Sequence, residues 1–481
     1  MNSKYIYLHT IGCQMNVYDS EQIAIRLAAS GYEQTASMTQ ADLIIVNTCT
    51  VRAKAEQKAF SLLGRLARMK RDKKRLIIAV GGCVAQQEGE KILDRMSAVD
   101  LVFGTQAIDR LPHLIQQIET RRCRIVDVEM NEDPLIPESL VESRDERETS
   151  KFVTIMRGCD NHCTYCVVPF VRGRETSRRP ESILREIHNL VENGVREITL
   201  LGQNVNSYGK NQNLCTFPEL LTMINGVEGI LRIRFTTSHP KDLGSDLIAA
   251  FRNLDNVCPH IHLPVQSGSN RVLKRMNRQY TREQYLDKVM KLRDTCPQIA
   301  ITSDIIVGFP GESQADFDQT LQLIRTVEFD GLFAFQYSDR PQAPSVKLPD
   351  KLPETIIRKR LQIVLELQEK FTKCKNEALV GSTLLVLTDG LSKKQVSDQP
   401  VENGQDVQWT GRTATNKIVN FYVDNPAIDS QNLTGKMVGV RIEKGFSHSL
   451  SGRVINVEPS AGRLKGVKNY AAQGEHCGFD H

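Results

Sequence analysis

The chain has 481 residues, 40% hydrophobic and 25% charged, with a formal net charge of +5. Its length exceeds what one hydrophobic core supports, so two or three domains are expected. No apolar run approaches the roughly 20 residues that span a bilayer, and the N-terminus, MNSKYIYLHTIGCQMN, lacks the basic-then-apolar order of a secretory signal. No membrane partner is expected, and a cytoplasmic location is. Disulfides seldom persist in that compartment, so twelve cysteines point to metal ligation or thiol chemistry. The mild positive charge permits a nucleic-acid partner without demanding one.

Residues 1–124 alternate apolar strands (YIYLHTIG, ADLIIVNT, RLIIAVGG) with helical patterns such as EQIAIRLAASG, which predicts a parallel α/β domain. Residues 125–150 turn Pro- and charge-rich and read as a linker. In residues 151–376 the alternation returns with six strand candidates: KFVTIMR, REITLLG, RIRFTTS, HIHLPVQ, IAITSDIIVG and GLFAFQYS. Six β/α units predict a full or partial barrel with function at the C-terminal strand ends. A long amphipathic helix, TIIRKRLQIVLELQEKFTKCK, closes this region. Residues 378–456 hold short strands (GSTLLVLTDG, NKIVNFYVD, KMVGVRIEKG) and read as a small β-barrel. The tail, 457–481, has no pattern.

The loop MRGCDNHCTYCVVPF carries Cys159, Cys163 and Cys166 spaced C-x3-C-x2-C. A structural zinc site is normally closed by four ligands, and the only nearby candidate, His162, adjoins Cys163, where one tetrahedron would be strained. The bacterial ferredoxin run is also absent. Three thiolates suit a four-iron cube with one iron left open to bind and polarise a substrate. Cys13, Cys49 and Cys83 each follow an apolar strand, 36 and 34 residues apart. Those separations match the repeat of a parallel sheet, whose carboxyl strand ends form a ligand crevice. Three thiols placed there can converge on a second such cluster. Cys123, Cys215, Cys258, Cys296, Cys374 and Cys477 are scattered and read as structural.

The C-x3-C-x2-C loop, with an aromatic before its last cysteine, resembles the radical S-adenosylmethionine (SAM) superfamily. An N-terminal three-cysteine domain ahead of such a core resembles the methylthiotransferases, and within them the MiaB family of tRNA-2-methylthio-N(6)-dimethylallyladenosine synthases. The segments carrying this are TIGCQMNVYDSE, VNTCTVRAKAEQK, GCVAQ, CTYCVVPFVRGRETSR, LLGQNVNSYG, HIHLPVQSGSNRVLKRMNR and SDIIVGFPGE. One departure is YSDRPQAPS, where the family usually has a form like YSPRPGTPA.

The resemblance implies an N-terminal methylthiotransferase domain, a partial (β/α)6 barrel and a C-terminal TRAM barrel. It implies two 4Fe-4S clusters, one on each cysteine set, and SAM as both radical source and methyl donor. Tyr165 lies where the superfamily meets the adenine, and Gly202, Gln203 and Asn204 where it grips the SAM amino group. Gln266, after HIHLPV, joins the expected cofactor contacts, and no residue is assigned as a catalytic acid or base. The implied reaction adds a methylthio group to C2 of N(6)-dimethylallyladenosine at position 37 of tRNAs reading codons that begin with U. A radical route has a physical reason, since an aromatic C–H is too weakly acidic for side-chain bases. The implied partners are the tRNA anticodon loop, an electron donor of the flavodoxin or ferredoxin type and a sulfur source.

Arg172, Arg174, Arg178 and Arg179 are candidates for RNA phosphate or cofactor contact, and Lys393, Lys394, Arg412 and Lys417 offer charge on the small barrel. Two alternatives stand beside this reading. One is a methylthiotransferase for threonylcarbamoyladenosine tRNA or a ribosomal-protein aspartate, against which LLGQNVNSYG and CTYCVVPF speak. The other is an iron-sulfur protein for electron transfer or cluster delivery.

Overall fold

The computed structural model describes residues 4–50, 53–131, 148–392, 407–424 and 432–457. Its first six strands are β1 (Lys4–Ile11), β2 (Tyr32–Gln34), β3 (Leu43–Thr48), β4 (Ile77–Gly82), β5 (Leu101–Phe103) and β6 (Ile125–Asp127). All pair in parallel, in the order β2-β1-β3-β4-β5-β6. Every residue of β3 and β4 is buried, which is why they read as continuous apolar runs rather than alternations. Separate apolar cores pack on the two faces of the sheet. The helices are α1 (Gln14–Ala28), α2 (Ala53–Asp72), α3 (Cys83–Glu88), α4 (Glu90–Arg95) and α5 (Leu111–Arg121). Strand order reverses between β1 and β3, so a crevice opens beyond their carboxyl ends. The linker expected from residue 125 starts later, because Ile125–Asp127 pairs with β5 and completes the sheet. Most of that expected linker, 132–147, lies outside the described residues.

The next domain is a six-stranded parallel arc. β7 (Ser150–Thr154), β10 (Glu197–Leu201) and β11 (Arg232–Phe235) form one half, and β12 (His260–His262), β13 (Ala300–Val307) and β14 (Gly331–Gln336) the other. A bridge from Ile233 to Val257 joins the halves, and the arc is open between its edges, β7 and β14. A short antiparallel ribbon, β8 (Met156–Arg157) with β9 (Thr176–Ser177), ties the base of the cysteine loop. Within that loop lies one helical turn, α6 (Val168–Arg172). The long helix Glu354–Glu377 buries Ile357, Val364 and Phe371, at heptad spacing, in the barrel core.

The C-terminal unit is a closed barrel, β15-β16-β17-β19-β18. Its strands are β15 (Thr383–Leu391), β16 (Gln408–Thr413), β17 (Ile418–Tyr422), β18 (Met437–Gly445) and β19 (Leu450–Val457). Closure leaves no edge strand open. The sequence pattern marked three of the five. β16 (QWTGRT) buries alternate residues and is mostly polar, so hydropathy alone does not reveal it. Among the described residues no helix is long and apolar enough to cross a membrane.

The barrel attaches at the N-terminal ends of the core strands. Arg232, the first residue of β11, donates to the carbonyls of Arg412 (2.5 Å) and Leu385 (3.1 Å). Arg234 donates to those of Ala414 (2.8 Å) and Thr413 (2.7 Å). Glu197, the first residue of β10, lies 3.0 Å from Arg234 Nε and balances the buried charge.

Candidate functional site: two three-thiol sets joined by one helical turn

Cys13 caps α1 after β1, Cys49 follows β3, and Cys83 opens α3 after β4. A buried amide network draws their loops together. Asn16 Nδ2 donates to Asn47 Oδ1 (3.0 Å) and the Thr48 carbonyl (3.2 Å), and Asn47 Nδ2 donates to the Asn16 carbonyl (2.9 Å). Gly82 holds φ +87°, and a Cβ there would sit 2.4 Å from the Thr48 carbonyl oxygen, so only glycine lets β4 deliver Cys83. A hydrogen bond with the Cys49 thiol pulls the Cys13 thiol down to about 6; burial opposes this, and the Arg172 charge adds to it. Burial pushes Cys83 up, against the charge of the same Arg172.

Arg172 therefore faces two thiols of the first set although it belongs to the loop of the second. It is 5% exposed and lies 2.8 Å from Asp19 of α1, with Arg157 also near that carboxylate at 3.7 Å. Burial opposes its charge, but Asp19, Cys83 and Cys13 outweigh it and hold the guanidinium ionised. The expectation that Arg172 and Arg178 meet RNA phosphate is corrected here. Arg178 is also buried, donating to Glu186 Oε2 (2.5 Å) and the Thr154 carbonyl (2.8 Å). Arg174 and Arg179 are exposed.

In the second set, Cys159 accepts from the Asn161 N–H, Cys166 from the Val168 N–H and Cys163 from Arg278 Nη1, each at 3.4 Å. Gly158, at φ +75°, passes 2.0 Å (as a Cβ would measure it) from the Arg174 carbonyl oxygen and folds the loop back on itself. Burial, with the neighbouring Cys163, pushes Cys159 up to about 11 and Cys166 to about 12, so iron would have to displace thiol protons to bind. The two sets share a wall. Val167 and Val171, which follow Cys166, form one buried cluster with Cys83 and Ala343. Thr105 Oγ1 further donates to the Val171 carbonyl at 2.8 Å.

Tyr165 packs with Val272, Met276 and Phe309 and lies 3.4 Å from Arg278 Nη1. Gln203 Oε1 accepts from the Gly158 N–H at 2.5 Å, and a Cβ on Gly202 would strike Met156. Asn204 does not fit its expected part. It is 1% exposed, and both ends of its amide are spent, on Asp242 Oδ2 (2.8 Å) and the His239 N–H (3.1 Å). Gln266 is held at φ +70° by a backbone bridge to β13. Glu312 of the GFPGE turn accepts from Gly308 N–H and pairs with Arg360, which makes that turn a clamp for the long helix. Burial, with the Arg278 and Lys241 charges, holds His239 neutral, near 2. On the small barrel, Lys417 bonds Asn376 Oδ1 (2.8 Å) and Arg412 bonds Asn416 Oδ1 (3.2 Å); Lys393 and Lys394 lie outside the described residues.

Sequence reasoning passed over Asp19, Glu175 and Arg278. The signal for Arg278 was there, since it ends the SGSNRVLKRMNR segment, but nothing local marks it as buried under Cys163. The YSDRPQAPS loop reaches both sets: Ser345 N–H donates to the Thr164 carbonyl (2.8 Å), and Ala343 shares a buried cluster with Cys83.

Among the described residues no three His, Cys, Asp or Glu side chains are arranged to hold a single metal ion. A four-iron cube takes its thiolates on separate irons and does not need that arrangement. Each set offers three thiols with a buried cation against them (Arg172, Arg278), whose charge offsets thiolate charge. These donors fit such a cube.

The open parallel arc with a three-thiol loop after its first strand defines a radical SAM enzyme. Residues 153–324 match the Radical SAM superfamily, which uses SAM and a 4Fe-4S cluster, and residues 5–104 match the Uncharacterized protein family UPF0004. Among curated relatives, the tRNA-2-methylthio-N(6)-dimethylallyladenosine synthase of Desulfosudis oleivorans is 53% identical, covering 95% of this chain and 98% of its own length. The enzyme of that name from Syntrophus aciditrophicus is 49% identical, covering 95% of both. The chain belongs to this family of tRNA-modifying methylthiotransferases. Among solved structures, the radical S-adenosylmethionine methyltransferase TsrM from Kitasatospora setae shares the fold, with TM-score 0.56 and 13% identity over 71% of this chain and 75% of that one.

Proposed function

We propose that the chain adds a methylthio group to C2 of N(6)-dimethylallyladenosine at position 37 of tRNAs reading codons that begin with U. The observation that carries this is that Val167, Val171 and Arg172, which follow Cys166, pack against the first three-thiol set. Cys159, Cys163 and Cys166 are assigned to the cluster that works with SAM, and Cys13, Cys49 and Cys83 to a second cluster that holds or supplies sulfur. Cys159, Cys163 and Cys166 would hold the cluster, which with SAM would supply chemistry able to take a hydrogen atom that no side-chain base could take as a proton. The chain's own groups do the rest. Arg278 and Tyr165 back the core thiols, and Gln203 pins the loop at Gly158. Val167, Val171 and Ala343 close the wall between the sets against water. An electron donor of the flavodoxin or ferredoxin type, a sulfur source and a cytoplasmic setting complete the proposal. The domain limits we assign are 1–124, 151–376 and 378–456, with Ile125–Asp127 added to the first.

The test is anaerobic reconstitution with SAM and prenylated tRNA, read by nucleoside mass spectrometry. A methylthio mass gain is expected in the parent and its loss in Cys49→Ala, with SAM cleavage retained. Thiolation persisting in Cys49→Ala, with the core cluster present, would remove the second cluster from the reaction.

A further inference from the structure

A cleft of about 870 Å³ opens between the carboxyl end of β1 and α2, lined among others by His9, Thr10, Gly12, Lys58, Ser61 and Arg65. Gly12 adjoins Cys13, so the cleft runs up to the edge of the first thiol set. Its described lining includes two cations and no carboxylate. Lys58 and Arg65 are exposed and, with Ser61 and the exposed Arg68, recur at helical spacing along one face of α2. The two cations stand about 10 Å apart along the helix axis.

Among its described residues, the small barrel is anchored away from the core thiols. It is fixed at the N-terminal ends of the core strands through Arg232, Arg234 and Glu197. The core thiol set lies beyond the C-terminal end of β7, a strand length or about 15–20 Å away. Of its described cations named above, Lys417 and Arg412 are bonded within the protein. RNA held beside the thiols needs positive charge on the thiol side.

We propose that the β1–α2 cleft grips the phosphate backbone of single-stranded RNA next to the modified base, with Lys58 and Arg65 as the phosphate contacts. This rests on the tRNA reading above and places the RNA on the N-terminal domain as well as on the terminal barrel. A phosphate contact releases counterions, so it registers as salt dependence rather than as sequence preference.

The experiment uses the full-length, cluster-loaded chain and its Lys58→Ala/Arg65→Ala variant, with fluorescent tRNA titrated across a salt series. The plot of log affinity against log salt should flatten by roughly 0.7 for each lost contact. The loss should also appear with an isolated anticodon stem-loop, while Tm and tRNA-independent SAM cleavage stay unchanged. Equal slopes in parent and variant would overturn the proposal. So would a loss seen with whole tRNA but not with the stem-loop, because the contact would then lie away from the base. Unchanged RNA affinity with slowed sulfur transfer would assign the cleft to an anionic sulfur donor instead. Failure of the parent to bind tRNA would refute the functional reading itself, a result distinct from all of these.

Discussion

The Arg234 guanidinium donates to the Thr413 carbonyl at 2.7 Å while its Nε lies 3.0 Å from Glu197 Oε2. Core and terminal barrel are thus held by a charge that neither could bury alone. Removing one partner of a buried pair costs about 3–5 kcal/mol, and Arg232, 3.9 Å from the same carboxylate, keeps the expected loss near the lower end. Arg234→Ala should lower Tm and expose the barrel junction to limited proteolysis. A parental Tm and digestion pattern would show that the clamp carries no weight.

Arg278 joins three structures at one guanidinium. It donates to the Pro264 carbonyl at 2.8 Å and Tyr280 Oη at 3.0 Å, and reaches Cys163 Sγ at 3.4 Å. A lysine cannot reproduce that fork. Both Arg278→Gln and Arg278→Lys should lose the core cluster while keeping the N-terminal one. Iron per chain should fall by about half, and SAM cleavage should stop. Iron content equal to the parent's would contradict this.

Burial raises the Glu175 carboxyl to about 7; a hydrogen bond with Ser207 opposes the rise, and Asp160 and Asp242 add to it. The folded chain therefore keeps a proton that the unfolded chain gives up near the ordinary value of 4.5. That stabilisation is complete below the unfolded value and is lost as pH rises through about 7. Glu175→Gln should flatten stability over this window. At about pH 8 it should exceed the parent by about 1–2 kcal/mol, reduced from full linkage because the group is partly solvated. Denaturant titrations at several pH values check it.

Gln342 has φ +72°, in the left-handed region, at the position where the family usually carries glycine. A non-glycine residue there costs roughly 1–2 kcal/mol, and a glycine returns part of that as chain entropy in the unfolded state. Gln342→Gly should therefore stabilise the chain by about 0.5–1 kcal/mol, measured by denaturant unfolding. A lower midpoint would mean that the glutamine side chain makes contacts worth more than the strain.

Much of the site was legible because cysteine placement depends on local pattern. Each of Cys13, Cys49 and Cys83 follows an apolar run, and the strand periodicity alone puts those ends on one edge of a parallel sheet. The spacing of Cys159, Cys163 and Cys166 is local too. What escaped was set by distant partners. Arg172 lies in a run of arginines that looks solvated, and its burial is decided by Asp19, in another domain. Asn204 falls in a segment that resembles a ligand grip, yet Asp242 and His239, which arrive one strand later, consume its amide. Short strands such as β6 and the polar β16 are made by their neighbours' hydrogen bonds rather than by their own hydropathy.

Asp19 also bears on the order in which the protein can be assembled. The N-terminal sheet leaves the ribosome first, and domains generally fold as they emerge. Yet the cation that neutralises Asp19 and faces Cys13 and Cys83 is encoded in the following domain. Until that later stretch is synthesised and docked, the early thiols stand open with an uncompensated carboxylate beside them. The proposed iron site at the first set is therefore complete only once the following domain has docked, and a truncated N-terminal fragment lacks one of its parts.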